Sequence, residues 1–319
     1  MISRSVVIGC GGQGRAHAAA LANLGAAPIG FFDVVTERAQ ALAAWYGGEV
    51  YPDTLTLLNH VHPTFASVCS HVESHAAIVN AALDHAVPIV FCEKPLARTL
   101  REAQEIHLRA EKVGSMLAIN HQRRFEPWYQ TARDMVVQGD IGELISIDAF
   151  CPDLHDWATH WFDMILFFRE ELPPVSVLAQ ITVNSAAKPS RAGLGLVHVA
   201  WEDGVQARVM AGSYAANRWG REGLVIHGSA GRIELFWPQS VLRRFGRPDT
   251  EIEIGTGDPI ARGIQDCLEC AQSGDVPVLS SQHAIWATEI LFASYASAAH
   301  RQPKALPLSG PDLNTMLPA

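Results

Sequence analysis

The sequence predicts a two-domain α/β protein. A doubly wound, parallel-sheet domain over residues 1–121 is followed by an α+β domain over residues 122–319 with a large, mostly antiparallel open sheet. Three observations predict it. The chain has 319 residues, more than one typical domain and suited to two. From Ser5 to Asn120, short β-branched runs alternate with longer Ala-rich amphipathic runs, the pattern of successive βαβ units. After Asn120 the texture changes to longer strand-like runs joined by hairpin signals.

In the first half, strands are expected at Val6–Ile8, Pro28–Phe32, Phe65–Cys69, Ile89–Cys92 and Met116–Ile119. Between them, helices are expected at Arg15–Leu24, Glu37–Tyr46, His75–His85 and Leu100–Lys112, closed by Gly25, Gly47, Pro88 and Gly114, residues that end helices. The second half opens with a helix at Trp128–Gln138, the turn Gly139-Asp-Ile-Gly142, a strand at Leu144–Phe150 and a helix around Trp157–Phe168. Strands then follow at Val175–Asn184, Leu194–Trp201, Gln206–Ser213, Gly223–His227 and Arg232–Phe236; Glu202-Asp-Gly204 and Gly228-Ser-Ala-Gly231 are the clearest hairpin turns. Helices at Gly263–Gln272 and His283–Ala299 precede a proline-rich tail from Pro303 to Pro318.

Composition narrows the function. Hydrophobic residues make up 48% and charged residues 18%, and no run reaches 18 uncharged apolar residues, so a folded chain without a membrane span is expected. The apolar run Val6-Val-Ile8 follows only five residues, too short and too early for a secretory segment, and the cytoplasm is the expected location. A net charge of -9 opposes broad binding to a phosphate backbone, although Arg123-Arg124 is a local cluster able to meet an anionic ligand, and neither nucleic acid nor membrane is an expected partner. A small-molecule partner fits better. The six cysteines are scattered and suggest no disulfide framework. Cys267-Leu-Glu-Cys270 has zinc-like spacing, but no second pair accompanies it and its surroundings read as helix, so no metal is expected.

Gly9-Cys-Gly11-Gly12-Gln13-Gly14 directly follows a strand and opens an Ala-rich helix, the context in which G-x-G-x-x-G binds a dinucleotide. Gly9 permits the tight turn, Gly11 admits backbone N–H groups to the pyrophosphate, and Gly14 lets the helix pack closely on the sheet with its positive end facing the phosphates. Asp33 ends the second strand 19 residues after Gly14, where the adenosine ribose hydroxyls of a Rossmann domain lie. Its carboxylate would repel a 2'-phosphate, so NAD is preferred over NADP. Arg38, one turn into the next helix, either serves such a phosphate or is a solvent-facing arginine.

Two further groups are candidates for chemistry. Phe91-Cys-Glu93-Lys94-Pro95 places Lys94 at the carboxyl end of a strand, where open α/β sheets bind ligands, and the following proline holds it out of the α region; a cis Lys94–Pro95 bond would turn the lysine inward. A surface lysine opening a loop is the competing explanation. In Asp156-Trp-Ala-Thr-His160-Trp-Phe-Asp163, spacings of four and seven put both carboxylates and the imidazole on one face of an otherwise apolar helix. A satisfied core histidine, or metal binding by His155, His160 and an aspartate, compete with catalysis there.

Together with Asn120, Arg123-Arg124-Phe125, Gly139-x-Ile-Gly142, Gly228-x-x-Gly231 and the closing Ala-Ser-Tyr-Ala-Ser-Ala-Ala run, these motifs resemble, in order and over nearly the whole chain, the glucose-fructose oxidoreductase and inositol 2-dehydrogenase family (Gfo/Idh/MocA). The resemblance implies an NAD-dependent sugar or polyol oxidoreductase with substrate held between the nicotinamide and the Asp156 helix, and a homodimer or homotetramer formed through the C-terminal sheet. It makes Lys94, Asp156 and His160 the catalytic set, adds Gln122 and Arg123 as substrate contacts, and puts Ser70, His71, Glu93 and Lys94 near the cofactor. Pro152-Asp-Leu-His155 stands where the family has a glycine pair, so the substrate-side loop is expected to differ. In that scheme His160 removes the hydroxyl proton, Lys94 stabilises the developing alkoxide, and Asp156 orients the imidazole or holds a neighbouring hydroxyl. Trp128, Trp157 and Trp161 either stack on a sugar ring or fill the core. An NAD-dependent glycosidase that oxidises its sugar transiently, or a non-catalytic NAD-sensing protein, are the rival functions; the sensor would need no Lys94 and His160.

Overall fold

The computed structural model describes residues 4–154, 156–183, 192–212 and 222–317. His155, Pro318 and the ends Asn184 and Ser213 of two expected strands lie outside the described residues. β1 (Ser5–Ile8) is buried along its whole length, as a strand covered on both faces by crossover helices must be. It is followed by α1 (Gly12–Asn23), β2 (Gly30–Phe32), α2 (Thr36–Tyr46), β3 (Glu49–Val50), α3 (Thr54–Val61), β4 (Phe65–Val68), α4 (Val72–Asp84), β5 (Ile89–Cys92), α5 (Leu100–Val113) and β6 (Met116–Ile119). The six strands pair in parallel in the order β3-β2-β1-β4-β5-β6. The order reverses beside β1, so the carboxyl ends of β1 and β4 flank the crevice where such sheets bind ligands. β3 and α3 are elements that periodicity does not mark: one has two residues, the other eight, started by Asp53, whose side chain accepts the Thr56 N–H at 2.7 Å.

A 3-10 turn at Gln122–Phe125 leads to α6 (Pro127–Val137), β7 (Leu144–Cys151), α7 (Ala158–Phe168), β8 (Ser176–Val183), β9 (Ala192–Ala200), β10 (Gln206–Ala211), β11 (Gly223–Gly228), β12 (Gly231–Phe236), β13 (Gln239–Arg244), β14 (Thr250–Ile252), α8 (Pro259–Ser273), α9 (Ser281–His300) and β15 (Lys304–Ala305). Nine strands form one sheet, β14-β13-β12-β11-β7-β10-β9-β8-β15, antiparallel except for the β7–β10 pair. Gly228 pairs with Gly231 at the β11–β12 hairpin, as the glycine spacing predicts. Every residue of α7 is buried, and the helix packs on β7 and β10.

The chain folds into two compact units, Met1–Phe125 with Asp258–Ile285, and Glu126–Gly257 with Trp286–Ala319. This differs from a single cut after residue 121. Ile260, Ile264 and Cys267 of α8, with Leu279, join Val7, Leu21, Phe31, Phe65 and Phe91 in the apolar core of the parallel-sheet unit. Among the described residues no helix is long and apolar enough to cross a membrane, and no three His, Cys, Asp or Glu side chains are grouped to hold a metal ion. Cys267 and Cys270 are buried free thiols on α8.

Candidate functional site

In the parallel-sheet unit, the carboxyl ends of β1, β2, β4 and β5 carry most of the expected cofactor residues. Gly9, at φ 90°, closes the turn after β1 by donating its N–H to Phe32 O at 2.8 Å. A Cβ at Gly9 would stand 2.5 Å from Ser70 N, and one at Gly14 1.9 Å from Gly9 O, so both positions need glycine for packing alone. Gly11 and Gly12 differ: no atom lies within 4 Å of where their Cβ would be. Gly11 is the N-cap of α1 and has no side chain to satisfy the first N–H groups, and Gly12 and Gln13 are exposed. Open space at a helix N-terminus fits a pyrophosphate.

Asp33 is anchored beside this turn. Its Oδ2 accepts the Cys10 N–H at 2.6 Å and its Oδ1 the Val35 N–H at 2.8 Å. A carboxylate has about four acceptor sites, so these bonds leave capacity for ribose hydroxyls. The Arg38 guanidinium is 4.0 Å from Asp33, with its side chain 53% exposed, which places it on the solvent side. Burial, reinforced by the charges of Asp33 and Cys69, pushes the Cys10 thiol up to about 12. It is an inert packing residue.

The Lys94–Pro95 bond is cis, as expected for a turn that redirects the lysine. Lys94 is half-buried, and its backbone N–H donates to Glu93 Oε2 at 3.3 Å. Beneath it lies a buried network that sequence reasoning missed. His17 of α1 places Nε2 3.0 Å from Glu93 Oε1 and Nδ1 2.5 Å from Ser67 Oγ, and Asn120 Nδ2 donates to the same Glu93 oxygen at 2.7 Å. Burial works against a proton on His17, but the Cys69 sulfur and the Glu93 carboxylate outweigh it and lift the imidazole to about 10. Burial likewise opposes the Glu93 charge, and the His17 bond reverses this, holding the carboxyl below its ordinary value. The available signal was His17 itself, three residues after Gly14 on the inner face of α1. A second buried histidine, His75 of α4, bridges Pro95 O at 2.8 Å and Ser70 O at 2.9 Å, tying the loop after β4 to the lysine turn. His71, the N-cap of α4, is exposed, and Gln122 and Arg123 are half-buried in the 3-10 turn after β6.

In the second unit, His160 and Asp163 lie on α7, 7% and 1% exposed. Asp156 does not share their helix face, which corrects the expectation from spacing. Helix α7 begins at Ala158, and Asp156 sits exposed in the preceding turn with its N–H bonded to Asp153 Oδ1 at 2.6 Å. Asp153 offers the backbone a local side-chain acceptor, which competes with an earlier helix start. Trp161 is fully buried and Trp128 is 6% exposed, so both serve as core, while Trp157 is half-buried.

Residues 3–121 match a family described as an oxidoreductase family with an NAD-binding Rossmann fold. Inositol 2-dehydrogenase of Salmonella typhimurium is 32% identical over 152 residues, which are 46% of this chain and 45% of that enzyme, so this match spans about half of the relative's length. Inositol 2-dehydrogenase of Rhizobium meliloti is 28% identical over 282 residues, 82% of this chain and 81% of the enzyme. An oxidoreductase from Agrobacterium radiobacter, solved in complex with NAD+, L-tartaric acid and magnesium, superposes with a TM-score of 0.84 over 95% of this chain and 98% of its own at 19% identity, a likeness of fold. Residues 3–121 thus match the NAD-binding Rossmann segment of the Gfo/Idh/MocA oxidoreductase family, and in this chain that segment is followed by a nine-stranded, mostly antiparallel sheet.

Proposed function

We propose that the protein is an NAD-dependent dehydrogenase or reductase that moves hydride between nicotinamide and a carbinol or carbonyl carbon of a sugar, sugar derivative or polyol. The observation that carries this reading is the half-buried Lys94, just after the carboxyl end of β5 in a sheet whose β1 turn has room for a pyrophosphate. A protein that only senses NAD has no use for that lysine. The name of the relatives, inositol 2-dehydrogenase, points to a polyol or cyclic sugar.

Gly11, Gly12 and Gln13 would hold the pyrophosphate in a turn whose close packing Gly9 and Gly14 permit, and Asp33 would take the ribose hydroxyls and disfavour a 2'-phosphate. Ser70, His71 and Glu93 border the nicotinamide end. A bound nicotinamide would supply the hydride acceptor for oxidation and the hydride donor for reduction. His160 takes the hydroxyl proton in oxidation and gives it back in reduction. Lys94 donates a hydrogen bond to the same oxygen and stabilises its developing negative charge. Asp156, in the turn before α7, holds a neighbouring hydroxyl or orients the imidazole, and Gln122 and Arg123 bind further substrate groups. The protein acts in the cytoplasm as a homodimer or homotetramer through the nine-stranded sheet, where Ile145, Leu178 and Leu196 are about half exposed in the single chain.

A panel of inositols, sugars, uronates and polyols, followed by NADH formation, tests the reaction. At least one member is expected to turn over. His160→Asn is expected to lose about 100 to 10,000-fold in rate, about 2.7 to 5.4 kcal/mol, with near-normal NAD affinity and melting temperature. A variant that melts early yet turns over normally per folded molecule would make His160 a packing residue and overturn the mechanism. Cleavage of a glycoside without accumulation of NADH would move the protein to the glycosidase reading.

A further inference from the structure

His75 is a polar residue on an otherwise apolar helix face. With Ile78, Val79, Ala82 and Leu83 it forms the buried stripe of α4, and it is 1% exposed. An apolar side chain would pack there without loss of hydration, whereas a buried imidazole needs hydrogen-bond partners. Its partners are two backbone carbonyls in different loops. Nδ1 lies 2.8 Å from Pro95 O, in the segment after β5, and Nε2 lies 2.9 Å from Ser70 O, in the segment after β4. Both oxygens can only accept, so a neutral ring donates to one of them and an imidazolium to both. The carboxylates acting on the ring are Glu93, from the end of β5, and Glu73, from its own helix; burial outweighs them and holds the imidazole below its ordinary value. At neutral pH the ring therefore bonds one carbonyl and packs against the other.

Both loops belong to the parallel-sheet crevice. Ser70 is held to α4 a second time, by Ser74 Oγ at 2.8 Å from Ser70 Oγ, and its backbone nitrogen would be 2.5 Å from a Cβ at Gly9, so its place is tied to the glycine turn. Pro95 is buried and directly follows Lys94. We propose that His75 is a positioning residue for the nicotinamide half of the cofactor: one buried ring spans the carbonyls of Ser70 and Pro95 and so fixes the width of the cleft between the loops after β4 and β5. This rests on the dinucleotide reading of the crevice, and His75 acts through the backbone of the two loops rather than by touching the cofactor. The adenosine and pyrophosphate half is assigned to the glycine turn and Asp33, so the two halves can be tested apart.

NADH and ADP-ribose, the same dinucleotide without its nicotinamide, make that separation. His75→Phe keeps a ring and removes both nitrogens. Its NADH affinity is expected to fall about tenfold, the scale of one lost hydrogen bond to a buried carbonyl, while ADP-ribose affinity stays within about twofold. The fluorescence of bound NADH, which reports the surroundings of the nicotinamide, is expected to shift toward that of free NADH. His75→Asn, whose amide nitrogen takes the place of Nδ1, keeps a donor for Pro95 O and is expected to fall between the parent and the Phe variant. Equal losses for the two ligands in a folded variant, or no loss for either, overturn the proposal, because a merely structural histidine would lower the melting temperature without distinguishing them. The unaltered protein supplies a check that needs no variant to fold. With 15N-histidine labelling, saturating NADH is expected to move the His75 ring resonances and ADP-ribose to leave them in place; identical spectra with the two ligands overturn the proposal. A protein that binds neither ligand overturns it together with the cofactor reading. The affinity split in a protein that oxidises no sugar or polyol supports it and sinks only the reaction.

Discussion

At the scale of single residues, the proposed cofactor preference and the response to pH can both be tested. Asp33 accepts two backbone N–H groups, so its charge sits at a defined place beside the glycine turn. Asp33→Asn removes the charge and keeps one acceptor oxygen. The ratio of NADPH to NADH affinity is expected to rise about tenfold or more, about 1.4 kcal/mol, while stability falls by the ~1–3 kcal/mol of the one backbone N–H left without its acceptor. Fluorescence titration of both coenzymes measures it, and an unchanged ratio would remove Asp33 from the ribose site. His17 governs the alkaline side. Its folded-state value of about 10 lies above the ordinary 6.5, so its contribution to stability is complete below 6.5 and declines as pH rises toward 10. Glu93 has the opposite sign: its contribution is present above 4.5 and is lost on acidification. The melting temperature of the unaltered protein is expected to drop between about pH 7 and pH 9.5 more steeply than that of His17→Gln. Parallel slopes would show that the pair is not ionised.

At the scale of the element, the turn between β1 and α1 separates glycines where a Cβ would clash from glycines that face open space. Gly14→Ala forces a methyl into the Gly9 carbonyl, 1.9 Å away without rearrangement, and is expected to destabilise by about 3 kcal/mol or more, the upper end of overpacking costs. Gly12→Ala meets nothing within 4 Å and lies in the first turn of α1, where alanine favours helix by up to about 1 kcal/mol. The Gly12→Ala protein is expected to melt no earlier than its parent and to bind NADH more weakly. Melts with and without NADH read both effects; a Gly12→Ala protein with unaltered NADH affinity would place the pyrophosphate elsewhere. The start of α7 shows the limit of spacing rules at this scale. A four-residue interval between Asp156 and His160 suits a helix, yet Asp153 captures the Asp156 N–H and the helix begins two residues later.

For the whole molecule, the parallel-sheet unit is completed by chain from far downstream. Ile264 of α8 is fully buried in the cluster that contains Phe91 and Phe31. Ile264→Ala is expected to cost about 2 to 5 kcal/mol, the range for truncating a buried aliphatic side chain. A fragment of residues 1–125 leaves that cluster uncovered and is expected to show no cooperative melt by circular dichroism, while adding residues 258–285 through a linker should restore one. A stable, cooperative 1–125 fragment would show that α8 decorates the unit without completing it.

Local order in the sequence was enough to specify the two kinds of sheet, the glycine turn before α1, the acid after β2, the lysine after β5 and the Gly228–Gly231 hairpin, because each is written in periodicity or turn chemistry within a few residues. β5 and β6 fall at Ile89–Cys92 and Met116–Ile119, the bounds their apolar runs predict. The two-residue β3 is too short to display a period, and β13 and β14 mix charged with apolar residues. Only tertiary structure decided the parallel β7–β10 pair within an antiparallel sheet, the return of residues 258–285 to the first core, and the meeting of His17 with Glu93, 76 residues apart. Such pairings depend on which buried faces and charges find each other once the chain has collapsed, and a local pattern records that a face is apolar without recording what covers it.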